Sequence, residues 1–132
     1  MVAAAAVPVS RCVDGVHDPV PAAPARIRRT LRTTFAQWGL SVDTTENALL
    51  VVEEMVANAV DHARTPFRLT VDHTGAALHV TVWDGDPGTL HLRPFSTRAA
   101  RGRGLQMIEA LTSRWGWDRT AGGKTVWAVL PT

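Results

Sequence analysis

The sequence predicts an α/β (α+β) chain, a two-layer sandwich with helices on one face of a mixed, mainly antiparallel sheet. Three observations predict it. Apolar residues recur at helical spacing in two long runs through the first half of the chain. Two pairs of segments alternate apolar and polar residues, each pair joined across a short glycine-containing turn. Between those pairs lies a stretch mixing Gly, Pro, Ser, Thr and Arg, which ends in a short apolar helix pattern. A chain of 132 residues, 45% of them hydrophobic, is long enough for one buried core and too short for two domains.

Residues 1–23 combine Pro8, Pro19 and Pro21 with alanines and show no period, which predicts a flexible N-terminal tail. The ordered domain, 24–132, is expected to start at Pro24, a residue suited to the first turn of a helix. Ile27, Leu31, Phe35 and Trp38 follow at helical spacing, and Gly39 supplies the stop. A second helix is expected from about Thr44 to Ala63, burying Ala48, Val51, Val52, Met55, Val56, Ala59, Val60 and Ala63. Glu54, Asn58 and Asp61 fall off that stripe in this reading, facing outward or into a cleft. Phe67 to Asp72 and Ala77 to Trp83 form a hairpin across His73-Thr74-Gly75. Residues 84–103 lack a period, and a stretch of that length is usually a functional lid or disordered. Leu105 to Leu111 form a short helix. Arg114 to Asp118 and Thr125 to Leu130 make a second hairpin across Ala121-Gly122-Gly123.

Composition excludes several functions. The formal net charge is only +2, and the basic pI comes from arginine, since Lys124 is the only lysine. No block of like charge marks a nucleic-acid footprint. Arg26, Arg28, Arg29 and Arg32 share one helix and form a solvated or protein-contact face. Cys12 is the sole cysteine, so neither an internal disulfide nor a cysteine-based metal site can be assembled. The apolar start, Met1 to Val9, is too short to span a bilayer and lacks a basic region before its apolar run. The expectation is a cytoplasmic protein with no membrane and no direct nucleic-acid partner.

Chemistry concentrates in three places. Glu54-Met55-Val56-Ala57-Asn58 stacks a carboxylate and a carboxamide on one helix face. An Asn can offer its carbonyl oxygen to a hard cation such as Mg²⁺, and a Glu one turn away can take a proton from a hydroxyl. Alone, such a pattern is more often a solvated stripe. Val82-Trp83-Asp84-Gly85-Asp86-Pro87-Gly88 is a strand ending in Asp-x-x-x-Gly. Arg101-Gly102-Arg103-Gly104-Leu105 opens a helix with Gly-x-Gly-Leu, where bare backbone amides suit a phosphate chain. Arg98, Arg101 and Arg103 add cations beside it.

In this order and spacing the motifs resemble the nucleotide-binding domain of the GHKL superfamily (gyrase, Hsp90, histidine kinase and MutL ATPases), the Bergerat ATP-binding fold. Within it the chain is most similar to the small anti-sigma-factor serine/threonine kinases, over roughly Pro24 to Leu130. The resemblance implies a histidine-kinase-like ATP-binding domain with ATP and Mg²⁺ as cofactors. Asp84 would read the adenine amine, with Gly88 close to the base. Arg101, Gly102, Arg103, Gly104 and Leu105 would hold the phosphates. Asn58 would hold Mg²⁺ and Glu54 would be the catalytic base. Thr125 matches a position where the family often places a threonine near adenine. The family more often has Gly two positions after the adenine-reading Asp, where Asp86 stands here. The implied activity is transfer of the γ-phosphate of ATP to a Ser or Thr of a STAS-type anti-sigma-factor antagonist, regulating a sigma factor, and a homodimer is compatible with it. Two other functions fit the residues: a nucleotide-dependent binding module without kinase activity, and an interaction protein that binds no nucleotide.

Overall fold

Ile27, Leu31 and Phe35 recur every fourth residue and are all buried, which makes one face of the first helix a continuous apolar ridge. That helix, α1, spans Ala23–Gln37, with Pro24 in its first turn where no amide partner is needed. It ends at Gly39, whose φ of +76° a side chain would resist. The Gly39 and Leu40 amides donate back to the carbonyls of Ala36 and Phe35, satisfying the last turn. Helix α2, Val42–Asn58, starts two residues before the expected position because the Ser41 hydroxyl accepts from the Thr44 amide at 3.1 Å. It closes in a π turn over Ala59–Ala63, sealed by Arg64, whose amide donates to the Ala59 carbonyl from a left-handed backbone at φ 55°.

The computed structural model describes residues 11–88, Leu90 and 104–132. The strands are β1 (Arg11–His17), β2 (Phe67–Thr74), β3 (Ala77–Asp84), β4 (Arg114–Thr120) and β5 (Gly123–Pro131), with helix α3 at Gly104–Leu111. They form one five-stranded sheet in the order β1-β2-β3-β5-β4, every neighbouring pair antiparallel. The helices pack on one face of it, an α+β sandwich as the sequence predicts. Alternation decides which side chains they cover: Leu69 and Val71 from β2, Leu78, Val80 and Val82 from β3, and Val126, Ala128 and Leu130 from β5. No helix among the described residues is long and apolar enough to cross a membrane.

The expected tail needs a correction. Residues 11–17 are not loose; they pair in full with β2, from Arg11 opposite His73 to His17 opposite Phe67. Side chains hold the strand at its start and its middle. Arg11 donates to the Trp38 carbonyl at 2.6 Å, and Asp14 accepts two bonds from Arg68, at 2.9 and 2.6 Å. Residues 1–10 lie outside the described residues, as do 91–103, most of the expected lid.

His17 closes β1 by stacking on Phe67, with ring centroids 5.4 Å apart. Burial, helped by the nearby Arg26 charge, lowers its pKa below the usual 6.5. The unfolded chain therefore binds the proton more tightly than the folded one. Stability contributed by neutral His17 is present above about pH 6.5 and is lost as pH falls through the depressed folded value. Urea unfolding of His17→Phe should show a shallower loss of stability between pH 7 and pH 5 than the parent chain. Identical slopes would remove His17 from the acid response.

Candidate functional site

One wall of the site is the last turn of α2. Asn58 follows Met55 by three residues and Val51 by seven, so it shares their buried face and is only 5% exposed. The sequence reading placed it off the apolar stripe; the structure puts it on the stripe. Neither its Oδ1 nor its Nδ2 has a hydrogen-bond partner among the described residues. A buried amide left so costs on the order of 1–3 kcal/mol. Such an atom pair points to a ligand. Glu54, one turn earlier, is half-buried and reaches the start of α3. A Cβ on Gly104 would stand 2.5 Å from Glu54 Oε2, so any side chain there would have to turn the carboxylate aside. Gly104 is buried and Leu105 half-buried beside it. Asp61 and His62 lie in the π turn and are exposed.

The other wall is the end of β3 and the start of β5. Asp84 continues the inward face of Leu78, Val80 and Val82 and is 5% exposed. Its register partner on β5 is Lys124. By alternation Lys124 shares the inward face with Val126, Ala128 and Leu130, and it is buried to 1%. Its ammonium donates to Asp84 Oδ1 at 3.0 Å and to the Asp86 carbonyl at 3.1 Å, with Asp86 Oδ2 at 3.8 Å. The strands meet here without room to spare, since a Cβ on Gly123 would fall 1.9 Å from the Asp84 carbonyl oxygen.

The loop leaving β3 is folded on itself. The Asp86 amide donates to Asp84 Oδ1 at 2.9 Å, and the Gly88 amide donates to Asp86 Oδ1 at 2.9 Å. The Gly85 amide donates to the Thr65 hydroxyl at 2.8 Å, which pins the loop to the segment entering β2. Gly88 therefore lies beside Asp86 rather than free of it. Thr125, expected near Asp84, sits opposite Trp83 and shares the outer sheet face with it. The residue facing Asp84 is Lys124, which the sequence reading passed over. Its signal was available in the period-2 pattern of Lys124, Val126, Ala128 and Leu130. Arg98, Arg101, Gly102 and Arg103 lie outside the described residues. The structure thus brings Glu54 to Gly104 at the start of α3, buries Asn58 one turn along α2, and places Asp84 at the head of the sheet.

Among curated proteins no match was found. Among solved structures, the crystal structure of the RsbU and RsbW domains of Rv1364c from Mycobacterium tuberculosis matches with a TM-score of 0.71 at 21% identity. The match covers 92% of this chain and 32% of that one, and at this identity it shows a shared fold. The family model described as the histidine kinase-like ATPase domain matches residues 19–130. That span holds both walls of the site, and the chain belongs to the histidine kinase-like ATPase domain family.

Proposed function

We propose that this chain is an ATP- and Mg²⁺-dependent protein serine/threonine kinase of the anti-sigma-factor type. An ATPase domain implies ATP binding, and the observation that carries the metal assignment is the orphaned Asn58 amide. A buried carboxamide with both polar atoms unpartnered suits an oxygen ligand to a hard cation. Among the described residues no group of three or more His, Cys, Asp or Glu could hold a metal alone. An ion held by one side chain and the nucleotide's own phosphates is the usual arrangement for Mg²⁺. When bound, MgATP would supply the electrophilic γ-phosphorus and the charge neutralisation.

The rest is positioning. Asn58 would fix the phosphate end, and the amides at Gly104 and Leu105 would face the phosphates from the first turn of α3. Arg101, Gly102 and Arg103, just before that turn, are assigned by sequence motif to the same role. Glu54, set between α2 and Gly104, would orient the incoming hydroxyl and hold its proton on a carboxylate oxygen. Asp84 would accept from the adenine amine, with Gly88 in the loop beside the base. Thr125 would support that region from the strand's other side. The acceptor would be a Ser or Thr on a STAS-type antagonist, and a sigma factor the regulated partner, in a cytoplasmic circuit. The motif order and the fold shared with a chain bearing an RsbW domain support this reading. The Asp86 departure favours the second reading, a nucleotide-dependent binding module without transfer, which the same experiments separate.

Asn58→Leu keeps the side-chain size and removes the orphaned atoms. It should stabilise the nucleotide-free protein by about 1–3 kcal/mol in chemical denaturation while weakening Mg²⁺-dependent ATP binding. A variant that is destabilised and still binds MgATP normally would show the amide to be structural.

Glu54→Gln should leave ATP binding intact and lower phosphate transfer by roughly 10²–10⁴-fold, measured with labelled ATP and a STAS-type acceptor. Full transfer by that variant would dismiss Glu54 as the base. ATP binding with no transfer by the parent chain, across a panel of antagonists, would select the binding module.

A further inference from the structure

We propose that Lys124 is the positioning residue for base recognition, holding Asp84 so that one carboxylate oxygen is reserved for an exocyclic amine. The inference rests on the ATP-binding reading of the site and deepens it.

A carboxylate can accept about four hydrogen bonds, two on each oxygen. Oδ1 of Asp84 is filled: Lys124 Nζ donates to it at 3.0 Å and the Asp86 amide at 2.9 Å. Both donors sit on the same oxygen. Oδ2 makes no hydrogen bond with any described residue, so the acceptor capacity left to a ligand lies on that atom alone. A carboxyl group held by one oxygen cannot rotate to exchange the two, so the direction of the remaining lone pairs is fixed. Lys124 has no freedom either, being 1% exposed and bonded a second time to the Asp86 carbonyl at 3.1 Å.

The same contacts explain how the site tolerates Asp86 in place of a glycine. Asp86 turns its side chain away into the loop, where Oδ1 accepts the Gly88 amide and Oδ2 lies 3.8 Å from the Lys124 ammonium. The second carboxylate is thereby tied to the cation that orients the first. Asp86 and Lys124 form a matched pair: a carboxylate in the loop and a cation opposite it. The ammonium also keeps two neighbouring carboxylates together beside a buried strand end. Without it Asp84 loses both its counter-ion and its orientation.

The test compares ATP with ITP, which carries a carbonyl oxygen in place of the exocyclic amine, by calorimetry on the full chain. The parent should prefer ATP by roughly ten- to a hundredfold, the range for one charge-assisted hydrogen bond. In Lys124→Met, ATP affinity should fall by a similar factor while ITP changes little, so the preference collapses. A lysine with a merely structural role would lower both affinities together and leave their ratio unchanged, which overturns the proposal. A parent chain that binds both nucleotides equally overturns it as well. Binding of neither by the parent defeats the ATP-binding reading, and this inference with it. Should Lys124→Met fail to fold, the ratio is read in Lys124→Met/Asp86→Ser, which removes one charge of each sign and relieves the unpaired loop. The same collapse is expected there, and a preserved ratio sinks the assignment.

Discussion

An ammonium buried to 1% must keep its counter-charges, and much of this structure follows from that demand at Lys124. The pair with Asp84 exists in only one register of β5 on β3. A slip of one residue would turn Lys124 to the outer face and expel Val126, Ala128 and Leu130 from beneath the helices. The loop after β3 must also fold back far enough for the Asp86 carbonyl to reach Nζ at 3.1 Å. Gly123 has to be glycine for the strands to close at that point. Strand register, loop conformation and the shape of the proposed base site are thus one set of contacts.

The two walls differ in their energetic state. At Asp84 the charges are paired and the acceptors on Oδ1 are filled. At Asn58 the polar atoms are buried with nothing to bond among the described residues. A ligand bridging them would find a prearranged surface at one end and an unmet demand at the other. Preorganisation favours selectivity and the unmet demand favours affinity, because binding there removes a desolvation cost already present in the free protein. Glu54 lies at the unsatisfied end, close under Gly104, where the first turn of α3 begins.

Most of the fold was legible in the sequence because its signals are local. The stripe of Ile27, Leu31 and Phe35, the stop at Gly39 and the two hairpins need only near neighbours to be recognised. Strand β1 was not legible, for a physical reason. Its inward positions are Arg11, Val13, Gly15 and His17, and its outward ones include Val16, so no apolar alternation marks it. It is a strand because β2 offers an edge and because Arg11 and Asp14 find partners in Trp38 and Arg68. Lys124 was missed because lysine is the residue least expected inside; only the partners at Asp84 and Asp86 make its burial tolerable. Asn58 was recognised by type and spacing, while its place on the buried stripe follows from its offsets to Met55 and Val51. The site motifs placed Asp84 at a strand end and Gly104 at a helix start, where the structure has them, and the register sets Thr125 opposite Trp83, with Lys124 as the residue facing Asp84.

Strand β5 follows β4 in the chain but lies between β4 and β3 in the sheet. During synthesis this order has a cost in time. The helix bearing Glu54 and Asn58 and the β2–β3 hairpin are complete early, while Asp84 waits for a lysine 40 residues further on. At ribosomal rates of about 5–20 residues per second, that gap lasts roughly 2–8 s. Throughout it the free edge of β3 has no strand to pair with, and β4, once made, has nowhere to dock until β5 follows. The nascent chain therefore passes through a stage with an open sheet and an unneutralised carboxylate at its rim. That stage is where chaperones or premature strand pairing would act on it.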